Sequence, residues 1–407
     1  MNLKVFETKG KTMLRLRDLV LGIQFFLVIL TGVIVMSNLT KVHVHVLLFG
    51  AGIGTLIFYL ITRKEVPLFL GPSLAFLSLI TERVGTQPIP PPELAAAAIL
   101  GGIFYVLISI WIKRIGLYKV MQLFPPIVAG NIIILIGASL VRSGVILAET
   151  NKFVATATMA PIILIYFFVP KLRKYAVIIG IVFGWIVALL FPSELVPKAV
   201  TPPEHLEPFL IPRLVMPKFT VKLVGIIMIG VLAPLLEHIG DVFAISNVAD
   251  RPYYFKPGLD RTLLGNGIGN IVSGFLGVWG LTTYSQGTGT YLLMREYRPI
   301  YVLIAAIISL VVSSLGPLSR AIYAFPAAVI GGLMIYMFGF VASIGINVLI
   351  ANRVDMQHPR NLFITALMLG IGLGETDIVI FGIPLNTLAV AGIVGIFLNW
   401  ILPKKRG

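Results

Sequence analysis

Glu237 and Asp241 lie four residues apart in Pro234-Leu-Leu-Glu237-His238-Ile-Gly-Asp241, flanked by stretches (221–233 and 242–249) that are almost wholly apolar. Spacing i, i+4 puts both carboxyls on one helix face. A charge at bilayer depth costs about 2.5–3.5 kcal/mol on an insertion scale, so an acid pair there points to a site for an ion, a proton or a polar substrate. Desolvation and a like-charged neighbour both favour the protonated form of a carboxyl. The pair is therefore expected to hold a proton near neutral pH, shared as one coupled system. A second polar cluster, Thr282-Thr-Tyr284-Ser285-Gln286-Gly-Thr-Gly289, follows an apolar run. Gln286 offers an amide that both donates and accepts, and Phe76, just after Gly71-Pro72-Ser73, offers a π face. Acceptor, amide and aromatic plate are what a planar heterocyclic base requires. His238 points to another helix face and reads as a packing or hydrogen-bonding histidine. His43 and His45 flank an outer loop and read as solvated, and Glu375 with Asp377 reads as a solvated turn. Cysteine is absent, as are His-Glu-x-x-His, aspartate-rich metal motifs and Gly-x-Ser-x-Gly. No metal, cofactor or covalent chemistry is expected, so the chain does not read as an enzyme.

The elements that carry these groups are set by composition. Of 407 residues, 57% are hydrophobic and 12% charged, with a mean hydropathy of +0.98. Continuous apolar runs recur along the whole length, so the chain reads as an all-α polytopic membrane protein and not as a barrel of alternating strands. Fourteen segments are discerned, from Leu19–Met36 to Ile378–Leu402. The first lacks a small-residue cleavage site and reads as a span. Of the 32 Lys and Arg, 23 fall in the two tails and the even-numbered loops and 9 in the odd-numbered loops. By the positive-inside rule this predicts a plasma-membrane protein with both termini cytoplasmic. The net charge of +15 is thereby accounted for, and a nucleic-acid partner is not expected.

The connection from Pro192 to Lys222 contains seven prolines and divides the segments seven and seven. An odd number per half gives the halves opposite orientation, the inverted-repeat design of secondary transporters. Phe124-Pro-Pro-Ile-Val-Ala-Gly130 and Phe325-Pro-Ala-Ala-Val-Ile-Gly331 open the fifth segment of each half and share four of seven positions. The third segment of each half is irregular. Pro67–Ile80 is too short to span as helix, and Thr282–Gly289 is polar. Paired interrupted segments point to a transporter's binding site, against the blander reading of Thr282–Gly289 as a surface loop.

The block Gly265-Asn-Gly267-Ile-Gly-Asn-Ile-Val-Ser-Gly274-Phe-Leu-Gly277 followed by Thr282-Thr-Tyr-Ser-Gln286 resembles the nucleobase–ascorbate transporter family, also called the second nucleobase:cation symporter family. So do Leu236-Glu237-His238-Ile-Gly240-Asp241, Leu123-Phe-Pro-Pro126 and Ser73-Leu-Ala-Phe76. The resemblance implies fourteen segments in two inverted repeats, with short strands breaking segments 3 and 10. It implies a substrate-carrying core domain (13–115 and 222–317), a gate domain (118–192 and 321–403) that helps form a homodimer, and a connection at 193–221. It also implies that Glu237 hydrogen-bonds the base, that Asp241 occupies the coupling position, and that Gln286, Phe76, Tyr284 and Ser285 surround the base. Two residues depart from the family pattern. Gly287 stands where asparagine usually follows the glutamine, and Phe25 where histidine usually follows Gln24.

Together these readings predict a secondary active transporter that imports a nucleobase with protons by alternating access. The Glu–Asp–Gln combination resembles the purine branch, so xanthine, urate or guanine is expected ahead of uracil. A uracil/proton symporter is the alternative within the family. An anion carrier of the related sulfate-permease fold is the alternative of another class, and it would need a positive site where this chain has acids.

Overall fold

In the computed structural model the described residues are 15–403 apart from 41, 74–75, 77–89, 124, 193, 200–206, 375–377, 381–382 and 386. Leu74, Ala75, Phe124 and the expected turn at Glu375 and Asp377 lie outside the described residues.

The chain opens with α1 (Leu16–Thr40), α2 (Val44–Ile61) and the short strand β1 (Leu70–Pro72). It continues through α3 (Pro91–Ile115), α4 (Leu117–Leu123), α5 (Pro126–Glu149), α6 (Lys152–Phe168) and α7 (Ala176–Ala188). After the proline-rich connection come α8 (Val221–Gly230), α9 (Leu232–Val248), α10 (Leu259–Gly274), β2 (Leu281–Thr283) and α11 (Ser285–Met294). Next are α12 (Ile300–Ser314), α13 (Gly316–Tyr323), α14 (Ala327–Ala351) and α15 (Pro359–Leu373). A hairpin of β3 (Ile378–Ile380) and β4 (Ile383–Leu385) precedes α16 (Thr387–Ile401). Among the described residues five helices, α1, α2, α3, α5 and α14, are long and apolar enough to cross a membrane. Prolines start many of these helices. Pro91, Pro126 and Pro359 occupy the first turns of α3, α5 and α15, where a fixed φ helps and the missing N–H has no intrahelical partner to lose.

The helices pack in two groups. In one, α10 lies on α2 and α3, and α12 lies on α1 and α2. In the other, α5 runs along α14, α6 packs on α7 and α14, and α15 packs on α5 and α16. Helices α9 and α11 touch both groups. Small residues let backbones approach closely, and they do so reciprocally. A Cβ on Gly130 would lie 3.1 Å from the Gly345 carbonyl oxygen, and one on Gly345 would lie 2.7 Å from that of Gly130. Gly144 and Gly331 repeat this at 3.2 and 2.7 Å. Gly130 and Gly331 are the glycines of the two echoed segments, so one α5–α14 contact becomes the other when the halves are exchanged. Helices α2 and α10 behave alike, with Gly269 against the Gly54 carbonyl oxygen (3.1 Å) and Gly265 against the Phe58 Cα (3.2 Å).

Up to Thr220 the proline-rich connection forms no helix or strand in its described part. It is stapled to helix ends by Leu210 N–H to Ser314 O (2.8 Å), Val215 N–H to Phe275 O (2.8 Å) and Ala199 N–H to Phe325 O (2.9 Å). Two expectations change, and the alternative reading of the third segment of the second half falls. The eighth segment, expected as one run over Leu223–Asn247, breaks at Val231 into α8 and α9. Gly230 is a weak helix residue, and Pro234 has no N–H to bond the Gly230 carbonyl. The last segment begins with the β3–β4 hairpin, in which Val379 pairs with Pro384; β-branched Ile378, Val379 and Ile380 suit a strand, and Pro384 would break a helix. Thr282–Gly289 is buried throughout, so the surface-loop reading fails.

Candidate functional site

The site is built where α9 meets β2 and the start of α11. Strands β1 and β2 pair antiparallel, Leu70 with Thr283, Gly71 with Thr282 and Pro72 with Leu281. Tyr284 N–H to Phe69 O (2.9 Å) and Ser73 N–H to Gly280 O (3.0 Å) extend the pairing. Three-residue strands leave backbone groups exposed at their edges, and in a dry interior each needs a partner. A helix side chain supplies it on each strand. The Thr55 hydroxyl on α2 accepts from Leu70 N–H (2.9 Å) and donates to Leu70 O (3.2 Å). The Asn270 amide on α10 accepts from Leu281 N–H (2.5 Å) and donates to Leu281 O (2.9 Å).

Asp241 is fully satisfied. Thr283 Oγ1 donates to its Oδ2 at 2.6 Å and Ser285 Oγ donates to its Oδ1. Thr283 ends β2 and Ser285 opens α11, and the extended Tyr284 between them lets both hydroxyls reach Asp241. Glu237, one turn earlier, differs. Its side chain is half-buried, and its Oε2 is sealed from solvent with no hydrogen-bond partner among the described residues. Glu237 lines a cavity of about 30 Å³ with Thr282, Tyr284, Ser285 and Gln286. Leu140 of α5 and Met334 and Phe338 of α14 close it from the other helix group. The Thr282 hydroxyl is likewise buried and unpartnered. Tyr284 OH donates to Pro72 O at 3.0 Å. Gly32 of α1 is required here, since a Cβ would meet the Gln286 amide and lie 2.8 Å from the Tyr284 ring. The cavity holds about one water, too little room for a base in this conformation.

Of the sequence-derived candidates, Glu237, Gln286, Tyr284 and Ser285 converge on the cavity, and Asp241 sits directly behind Ser285. Phe76 does not line it. Its ring is wedged against Gly280 (2.8 Å from a Cβ there) and Gly101, and meets Tyr105 edge-on at 6.4 Å. It acts here as core and not as a plate over the cavity. His45 also departs from expectation, being half-buried with its ring stacked on His43 at 5.4 Å.

Reading the residues alone missed a buried hydrogen-bond chain. Leu281 N–H donates to Asn270 Oδ1, Asn270 Nδ2 to Asn266 Oδ1 (2.8 Å), and Asn266 Nδ2 to His238 Nδ1 (3.0 Å). With His238 protonated on Nε2, the ring donates to Thr262 Oγ1 (3.0 Å), whose hydroxyl donates to Leu259 O (3.0 Å). Every donor points the same way, so the amide orientations and the histidine tautomer fix one another. This chain ties α9, which carries both acids, to the strand that carries Thr283. The available signal was Asn266 and Asn270 at i, i+4, a polar stripe among the glycines and apolar residues from Leu263 to Val272. Thr283 and Thr282 were legible from strand alternation within the polar cluster.

A family model described as a permease family, that of the xanthine and uracil permeases, matches residues 16–380. The chain is 31% identical over 395 residues to a probable uracil permease of Pasteurella multocida, covering 95% of this chain and 93% of the relative. It is 32% identical over 406 residues to the uracil permease of Bacillus subtilis, covering 95% and 92%. Among solved structures, the transmembrane domain of the cyanobacterial bicarbonate transporter BicA superposes with a TM-score of 0.54 at 16% identity, covering 95% of this chain and 98% of that one. SLC26A9 superposes with a TM-score of 0.61 at 11% identity, covering 93% and 64%. These two share the fold. With the match spanning nearly its whole length, the chain belongs to the nucleobase–ascorbate transporter family of permeases and is a multi-pass membrane transporter, not an enzyme.

Proposed function

We propose that this permease is a uracil–proton symporter. The observation that carries the reading is the contrast within the acid pair. Glu237 presents a buried, unpartnered carboxyl oxygen at the cavity, while both oxygens of Asp241 are taken by Thr283 and Ser285. A free acceptor beside the Gln286 amide and the unpartnered Thr282 hydroxyl suits the alternating N–H and C=O edge of a pyrimidine. Relatives named uracil permeases, at about the same identity over almost the whole chain, favour uracil over the purines expected from Glu237, Asp241 and Gln286 alone. Among the described residues no Lys or Arg lines the cavity, which disfavours an anion as cargo despite the fold shared with a bicarbonate transporter.

In this reading Glu237 binds the base and Asp241 takes the coupling proton, so that the loaded site carries less charge across the bilayer. The two helix groups act as a core (13–115 and 222–317) and a gate (118–192 and 321–403). Their separation opens the closed cavity, first to one face and then to the other. The reciprocal glycine contacts and the twin Thr55 and Asn270 devices support fourteen segments in two inverted repeats. Cytoplasmic termini and a homodimer formed through the gate domain belong to the same reading. Purified protein in proteoliposomes with an inside-alkaline gradient should accumulate labelled uracil, and an uncoupler should abolish this. Accumulation of sulfate, or base uptake indifferent to the pH gradient, would refute the symport reading.

A further inference from the structure

A second, larger cavity of about 420 Å³ lies at the ends of α9 and α14 and the start of α5. Its size falls in the range of about 300–1,000 Å³ typical of small-molecule pockets, whereas the Glu237 cavity holds about one water. Both cavities sit at the seam between the helix groups, and both are lined by α9. Glu237 and Asn247 are ten residues apart on that helix, about 15 Å along its axis. Nothing assigned to the site above uses the residues of this vestibule.

Its lining has the chemistry of a base site. Asn247 and Asn352, one from each group, are pinned in the same manner. Each donates an amide hydrogen to the carbonyl four residues back, Phe243 O and Val348 O, both at 2.8 Å. That bond uses one amide hydrogen of each carboxamide and leaves its oxygen and second N–H to meet a ligand. Phe243 and Tyr254, with ring centroids 5.1 Å apart, form an aromatic wall. Arg251 supplies donors at the rim. A planar solute with adjacent N–H and C=O groups meets acceptors, donors and a π surface together.

We propose that this vestibule is a second binding site for the transported base, occupied while the Glu237 cavity is closed, with Asn247 and Asn352 as its hydrogen-bonding residues. The proposal rests on the nucleobase reading above and adds a waiting position on the transport path. In the orientation proposed there, the vestibule faces the cytoplasm. Because base contacts are shared between the two helix groups, the site is complete only in the closed arrangement and is dismantled when the groups move.

The cysteine-free sequence permits a direct test. Pro126 lines the vestibule and is exposed there, so Pro126→Cys gives a single thiol that N-ethylmaleimide will alkylate. Uracil should slow the alkylation at least about threefold, both with Glu237 intact and in the Glu237→Gln background, where the inner site is disabled. Asn247→Leu with Asn352→Leu should remove the protection while leaving uracil's effect on the melting temperature mediated by Glu237. Protection that vanishes with Glu237→Gln would overturn the proposal, since it would report only movement driven from the inner site. Protection absent in a protein that uracil still stabilises would overturn the vestibule alone. If neither uracil nor xanthine stabilises the unmutated protein, the nucleobase reading falls and this site falls with it.

Discussion

Replacing Asn270 by Ala removes the side chain that holds β2 in place. Its amide accepts from Leu281 N–H, and donates to Leu281 O, Asn266 O and Asn266 Oδ1. All of these groups are buried. At least two, the Leu281 N–H and the Asn266 side-chain oxygen, lose the partner that Asn270 supplies. Each unsatisfied buried group costs about 1–3 kcal/mol, so the substitution should cost about 2–6 kcal/mol, a large share of the roughly 5–15 kcal/mol that holds a typical folded domain together. The loss is local to the strand that brings Thr283 and Ser285 to Asp241, so base binding should suffer more than gross folding. Purified Asn270→Ala should melt well below the unmutated protein, and its stabilisation by uracil should shrink or vanish. Thr55→Val removes the equivalent support from β1. Because β1 and β2 pair with each other, the double variant should be non-additive by more than about 0.5 kcal/mol. Unchanged melting and uracil affinity in Asn270→Ala would refute the argument that this amide positions the strand, and strict additivity with Thr55→Val would refute its extension to the strand pair.

Other perturbations have distinct signatures. Glu237→Gln keeps the side-chain volume and loses the anionic acceptor; at about 1.5–3 kcal/mol for a charged hydrogen bond, uracil affinity should fall about 10- to 150-fold in equilibrium binding, and a retained affinity would remove Glu237 from the base site. Asp241→Asn should still bind uracil but equilibrate it without accumulation, so concentrative uptake by this variant would end the coupling assignment. A Cβ on Gly287 would sit 2.8 Å from the Phe25 ring; Gly287→Ala should therefore cost about 1–3 kcal/mol by overpacking, partly recovered by Phe25→Leu, as read from melting temperatures. Gly137→Leu should lower expression of folded protein sharply, because a Cβ there already lies 2.7 Å from the Phe338 carbonyl oxygen and backbone cannot give way.

Much of the site was legible because burial of charge is rare enough to be informative. Glu237 and Asp241 stood out against apolar flanks, and the polar run from Thr282 to Gln286 announced a break in the membrane pattern. Those two signals name, without any coordinates, the residues that the structure gathers around the small cavity. By themselves they do not show how the surroundings of the two acids differ, and their separate roles are only what the family resemblance implies. That distinction arose when Thr283 and Ser285, on alternate positions of a strand and helix start, arrived on one side of Asp241 and left Glu237 unpartnered. Phe76, expected beside the base, sits in the core against Gly280, Gly101 and Tyr105, because an aromatic side chain carries no sequence mark of which neighbour it faces. The break at Val231 was readable from Gly230 and Pro234, and was overlooked because the apolar run continues through it.

The sequence by itself determined a polytopic helical membrane protein, a division near the proline-rich connection, and an acid pair buried at depth, because hydropathy, proline chemistry and helical spacing are local properties of the chain. Only the tertiary structure decided which acid has both oxygens bonded, how Asn266, Asn270 and His238 lock α9 to β2, and that the cavity at Glu237 is far smaller than the one at Asn247 and Asn352. Those features depend on contacts between residues far apart in the chain, and hydrogen-bond direction and packing at such contacts exist only once the helices have met.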